Sequence, residues 1–227
     1  MLPLVLLPGM NCTSDLWTGC GLDDALTPEL DEQSVDTQVD RLLAELPLRF
    51  VLGGLSLGAI IAMALVARAP ERVERMCLVS TNAKAPTPEQ LASWRTWADR
   101  LDSGEIARDL QADILAALLS PAAARERPDL VERTLAMADA TGTAALRAQL
   151  RMQSTRVDLR PALRDVSVPT LLVSGANDTI CPPQFHAEIA SELARARVVT
   201  IEGGHLLTLE RPDSVGVLLR AWRDPSA

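Results

Sequence analysis

The chain has 227 residues, 48% hydrophobic and 23% charged, the make-up of one globular domain, or one domain with an insertion, able to bury a sizeable core. Its net charge of −8 argues against a nucleic-acid backbone or an anionic membrane surface as the main partner. Cys12, Cys20, Cys77 and Cys181 show no C-x-x-C spacing and no adjacent histidine, which argues against a zinc site or a disulfide framework and fits a reducing cytoplasm.

The apolar start, Met1 to Pro8, has no basic flank and is too short for an anchor, so it reads as a buried strand; no later apolar run reaches membrane-spanning length. After a turn-rich region, Val35, Val39, Leu42, Leu43 and Leu46 recur at helical spacing. Phe50-Val51-Leu52 is a short strand that stops at Gly53-Gly54, and a helix with Leu57, Ile60, Ile61, Ala64 and Leu65 on one stripe follows without a spacer. Met76 to Val79 is another buried strand, with Cys77 in the core. Short apolar runs separated by amphipathic helices imply a mostly parallel α/β sheet with helices on both faces.

Residues 83–165 break the alternation. Thr87-Pro88-Glu89-Gln90 carries a helix start, with Thr as N-cap, Pro at the first position and Gln closing a capping box. Leu91, Trp94 and Leu101 continue that helix. Ile106 to Leu118 marks a second, Pro128 to Leu135 a third, and Leu146 and Leu150 a fourth. The segment is a helical insertion in a core built from 1–82 and 166–227, since it lacks the Gly/Ser composition of a linker. Alternation resumes with a strand at Val168 to Val173, a helix after Pro182-Pro183, a strand at Val198 to Ile201, and a last helix from Pro212 with Val215, Leu218, Leu219 and Trp222 on its stripe.

Gly54-Leu55-Ser56-Leu57-Gly58 matches G-x-S-x-G, a pattern that arises by chance about once in ten chains of this length. Its setting gives it weight: a strand before and a helix after make a nucleophile elbow, which pushes the serine hydroxyl out at the sheet edge and at a helix N-terminus. A serine hydroxyl needs a base, and the chain has two histidines. His205 follows Gly203-Gly204 after the last strand, at the same sheet edge. His186 lies in a helical pattern and reads as a surface residue. Asp178, in the turn after the strand ending at Val173, is the carboxylate that would orient the histidine; the bland alternative is a turn cap. Cys12 and Cys181 lie close in sequence to these motifs, where either would line a pocket, but Ser56 has the better setting for a nucleophile.

The order Ser56, Asp178, His205, with Leu7-Pro8-Gly9-Met10, the elbow, Gly175 to Pro182 and Gly204-His205 followed by Glu210-Arg211-Pro212, resembles the α/β-hydrolase fold family in its single-domain form with a helical cap. The resemblance implies an oxyanion hole from the backbone amides of Met10 and Leu57. It also implies a cap over the active site, with Trp94, Trp97 and Met152 as substrate-binding candidates beside Trp17 and Met10. Arg147, Arg151 and Arg156 are candidates for binding a substrate carboxylate, the alternative being a solvated helix face. Pro8-Gly9 replaces the family's usual His-Gly, and the segment from Thr18 to Asp31 is short, so a sheet of about six strands with one trimmed edge is expected. The implied chemistry is cleavage of a small-molecule carboxylic ester or thioester through an acyl-enzyme on Ser56, without cofactor or metal. Thioester release in a biosynthetic pathway, lactone opening and C–C hydrolysis share the machinery, and a non-catalytic small-molecule binder is the alternative from another class. No G-x-G-x-x-G opens the first helix, which argues against a flavin or nicotinamide protein.

Overall fold

A computed structural model describes residues 2–224; Met1, at the head of the apolar start, and residues 225–227 lie outside them. The strands β1 (Leu4–Leu7), β2 (Phe50–Leu55), β3 (Val73–Val79), β4 (Thr170–Gly175) and β5 (Ala196–Ile201) form one parallel sheet in the order β1-β2-β3-β4-β5. Between β1 and β2 runs α1 (Val35–Glu45), between β2 and β3 α2 (Leu57–Arg68), and between β4 and β5 α9 (Pro183–Glu192). The helices α3 (Pro88–Asp102), α4 (Ala107–Asp113), α5 (Leu115–Leu118), α6 (Pro121–Glu126), α7 (Pro128–Ser154) and α8 (Arg160–Leu163) separate β3 from β4; α10 (Leu207–Glu210) and α11 (Pro212–Arg223) follow β5.

The sheet has five strands among the described residues rather than about six. Outside β1 a single residue, Leu26, forms a parallel bridge with Val5, its amide donating to Leu4 O and its carbonyl accepting from Leu6 N, both at 2.8 Å. Two residues on, Pro28 has no N–H to extend a ladder. The trimmed edge is therefore cut back to one bridge.

Side chains alternate across the strands. Val5, Leu7, Leu52, Met76, Leu78 and Leu172 pack with residues of α1, α2 and α9 in one apolar cluster. Leu4, Leu6, Val51, Cys77, Val79, Leu171 and Val173 pack on the other face with residues of α10 and α11. A third, smaller cluster joins Leu101, Leu110, Leu146 and Leu150, with Trp94, Trp97 and Met10 against it. The segment between β3 and β4 thus has an apolar core of its own that also grips the loop after β1.

Thr87 caps α3 through the capping box anticipated from its sequence. The second expected helix breaks into α4 and α5, because Ile114 leaves helical geometry between them. The third and fourth are two helices as expected, meeting without a connecting loop at Gly142 within α7, where a φ of 75° and ψ of 164° break the helical geometry. No helix among the described residues is long and apolar enough to cross a membrane.

Candidate active site

Ser56 stands between β2 and α2 with φ 53° and ψ −112°, a left-handed backbone that a non-glycine residue adopts at a cost. The ladder bond from Ser56 N to Val79 O (3.0 Å) and the bond from Thr81 Oγ1 to Ser56 O (3.1 Å) hold it there. The flanking glycines leave no room for side chains: a Cβ on Gly54 would lie 2.5 Å from the Gly58 carbonyl, and one on Gly58 2.3 Å from Leu7 O. This contact presses the start of α2 against the end of β1, which brings the loop from Gly9 to Cys12 beside the serine.

Asp178 and His205 extend from the ends of β4 and β5. The two turns are laced by amide bonds, Asn177 N to Gly203 O and Ala176 N to Ile201 O, both 2.9 Å. His205 Nδ1 lies 2.9 Å from Asp178 Oδ2 and donates to it, which leaves Nε2 for the cleft. Both side chains are buried. Asp178 Oδ1 accepts from Ile180 N (2.9 Å) and Cys181 N (2.8 Å). Burial by itself pushes the Asp178 carboxyl up, but the bond from His205, its charge and the two amides outweigh this, and the group lies below its usual range.

Ser56 and His205 open into one cleft of about 220 Å³, walled by Met10, Trp94 and Trp97. The amides of Met10 and Leu57 have no protein acceptor among the described residues, and Leu57, first residue of α2, is one of the helix's orphan donors. Cys12 and Cys181 also line this cleft. Burial pushes each thiol up to about 12, so both stay protonated and weakly nucleophilic near neutrality.

The other candidate side chains scatter. Met152 is fully buried in the apolar cluster around α2 and is not part of the cleft wall, and Trp17 packs on the opposite sheet face. Arg147 pairs with Asp102 and Arg151 donates to Gln33 Oε1 (3.0 Å), both away from the cleft. Arg156 does line it. His186 is not a surface residue: it is fully buried, and its Nε2 accepts from Thr81 N at 3.1 Å, because α9 turns that side chain inward against the residue that holds the elbow.

The sequence assigned no role to the residues that support the site. Asn11, with φ 57°, is buried beside Met10; its amide donates to Gln149 Oε1 (2.8 Å), and its side-chain nitrogen to Ala107 O (3.0 Å) and Gln111 Oε1 (2.9 Å). Glu210 accepts from Gly204 N (2.9 Å), Ser120 N (2.8 Å) and Ser120 Oγ (2.6 Å), fastening the His205 turn to α6. Glu210 had a signal in Gly204-His205-Leu206-Leu207-Thr208-Leu209-Glu210. Asn11 and Gln149 are separated by 138 positions and had none.

The description "Alpha/beta hydrolase family" matches residues 5–215. The chain is 31% identical over 223 residues to a pimeloyl-[acyl-carrier protein] methyl ester esterase of Aromatoleum aromaticum, covering 93% of this chain and 86% of that protein. Among solved structures it superposes on a thermophilic esterase from Thermogutta terrifontis with a TM-score of 0.90 at 24% identity, covering 98% of this chain and 89% of the other. An enol-lactonase from Burkholderia xenovorans gives 0.84 at 20% identity, with 98% and 91% covered. At these identities the two structures establish the fold. The match to the family description, with this relative, establishes the rest: the chain belongs to the alpha/beta hydrolase family.

Proposed function

We propose that Ser56, His205 and Asp178 are the nucleophile, base and orienting acid of a serine hydrolase that cleaves small-molecule carboxylic esters. The observation that carries this is the buried His205–Asp178 pair, joined at 2.9 Å and sharing a cleft with a serine on a strained elbow. In the reading that follows, His205 Nε2 takes the Ser56 proton as Oγ attacks the acyl carbon, and Asp178 stabilises the imidazolium. The tetrahedral oxyanion is received by the amides of Met10 and Leu57, a pair worth several kcal/mol, roughly 2.7–4 for a single such donor. The imidazolium then protonates the leaving alcohol, and water, deprotonated by His205, releases the acid.

Esterase chemistry is favoured over thioester or C–C cleavage by the likeness to an esterase of methyl esters. Helices between residues 83 and 165 serve as the cap in this proposal, on the support of Trp94 and Trp97 in the cleft wall. A cytoplasmic location accords with four unpaired, buried cysteines. The test is hydrolysis of p-nitrophenyl butyrate together with labelling by a fluorophosphonate. Wild type turns over the ester and is labelled, and Ser56→Ala does neither, with a fall in kcat of several orders of magnitude. A folded Ser56→Ala protein that keeps its activity defeats the assignment, and a wild type that is never labelled makes the chain a binder.

A further inference from the structure

Arg156 lies just beyond α7, where the segment between β3 and β4 turns back toward the sheet. The residue is 7% exposed and lines the cleft that holds Ser56 and His205. Its Nη1 donates to Gln153 Oε1 (3.0 Å), and its Nη2 to Asn82 Oδ1 (2.9 Å) and Lys84 O (2.8 Å). Every one of these acceptors is neutral. Nε has no partner, and one of the two Nη1 hydrogens is also left over.

The guanidinium has no counter-ion among the described residues, whereas Arg100, Arg108, Arg133 and Arg160 each pair with carboxylates. Burial lowers its pKa to about 10, so the charge persists at neutral pH. A buried cation is costly unless it is paired. No Asp or Glu side chain lines this cleft among the described residues. The nearby amine, Lys84 Nζ, is engaged with Glu188 at 2.8 Å and supplies no second positive charge there.

Position also argues for a ligand. Asn82 Nδ2, on the residue that accepts from Arg156, contacts Cys181 Sγ at 3.6 Å, and Cys181 N donates to Asp178 Oδ1. The cation therefore sits on the Asp178 side of the cleft, two residues removed from the acid of the triad. Trp94 and Trp97 supply apolar wall in the same cleft. An ester with an apolar stem and an anionic end would match wall and charge together.

We propose that Arg156 is an anion-binding subsite and that the substrate is an ester carrying a free carboxylate, which supplies the missing counter-charge. This deepens the ester-hydrolase reading and rests on it. Hydrolysis then breaks the ester C–O bond, water giving its hydroxyl to the acyl carbon and a proton to the alcohol. When the free carboxylate is on the acyl side the product is a dicarboxylate.

Two ester pairs test the subsite and the side that bears the charge: monomethyl adipate against methyl hexanoate, and the hexanoyl ester of glycolic acid against ethyl hexanoate. Wild type should favour the charged member of one pair in kcat/KM by about tenfold or more, the scale of a hydrogen bond to a charged group. Arg156→Gln should lower that ratio by a similar factor, and Arg156→Lys, which keeps charge without the fork, by less. Equal losses on charged and neutral esters would make Arg156 a stitch of the cap base and overturn the proposal. So would a wild type that hydrolyses both members of each pair without preference, and this comparison decides even if Arg156→Gln fails to fold. Binding provides a separate reading: in Ser56→Ala, fluorescence of Trp94 and Trp97 should report tighter binding of the favoured charged ester than of its neutral partner. If that holds while wild type hydrolyses no ester, the hydrolase reading fails and the subsite stands.

Discussion

His205 donates through Nδ1 to Asp178 Oδ2 across 2.9 Å, while the other oxygen of the same carboxylate is held by the amides of Ile180 and Cys181. The carboxylate is thus fixed before the histidine engages it. Asp178→Asn keeps the shape but offers one acceptor oxygen to three donors and removes the negative charge that stabilises the imidazolium. The expected fall in kcat for ester hydrolysis is about 10³- to 10⁴-fold, with fluorophosphonate labelling slowed alongside. Labelling at the wild-type rate would show that Asp178 has no part in activating Ser56.

The loop that carries Met10, the proposed oxyanion donor, is tied to α7. Asn11 sits in a left-handed conformation next to Met10, and its buried amide has Gln149 Oε1 on α7 as its acceptor. Gln149→Leu removes that acceptor, and the acceptor's own second bond, from Gln149 Nε2 to Leu30 O (2.8 Å), goes with it. A buried donor left without a partner costs about 1–3 kcal/mol, to be read as a lower urea midpoint. Because the freed residue adjoins the Met10 amide, kcat should fall more than KM rises. Unchanged kcat in a destabilised variant would confine the Gln149 bond to stability.

The positions of Ser56, His205 and Asp178, proposed as nucleophile, base and acid, were legible because each follows a strand in the chain and each depends on local backbone. A strand-to-helix turn needs glycines at 54 and 58, and His205 and Asp178 fall in turns at strand ends. The sheet was legible to within one strand, since Val5, Leu52, Leu78 and Leu172 advertise burial by composition. What local pattern did not carry was the direction a helix faces. His186 sits on a helix of mixed polar and apolar residues whose inner face the sequence does not mark, and α9 buries it against Thr81. Met152 and Arg156 lie four residues apart at the end of the same segment, and only the path of the chain sends one into the core and the other into the cleft. Such choices are made by contacts over a hundred positions away, as between Thr81 and His186.

Glu210 receives three donors, Gly204 N, Ser120 N and Ser120 Oγ. Glu210→Ala leaves all three buried and unmatched, an expected loss of about 3 kcal/mol or more. Glu210→Gln retains one acceptor but places an NH₂ among donors, so it should be intermediate. Urea unfolding ranks the three proteins. Activity should follow, because Gly204 immediately precedes His205 and the turn loses its tie to α6. Equal stability of all three would mean that the bonds reform with water.

His186 makes stability depend on pH. Its Nε2 accepts the Thr81 amide, which requires the neutral ring, and burial pushes its pKa down from 6.5 to about 4. Between these values the unfolded chain binds a proton that the folded chain refuses, so stability falls as pH drops from about 6.5 to about 4 and is unaffected by this group above that window. Asp178, with its carboxyl below the usual range, also loses stability on acidification, but it does so equally in a His186→Gln protein, where the Gln carbonyl oxygen takes over as acceptor for Thr81 N. The difference between wild type and His186→Gln, from urea midpoints at pH 7, 5.5 and 4, isolates the histidine. Wild type should lose up to about 3 kcal/mol more than the variant across that range. Parallel losses would mean that the His186 ring protonates in place, with the Thr81 bond broken at no cost to the fold.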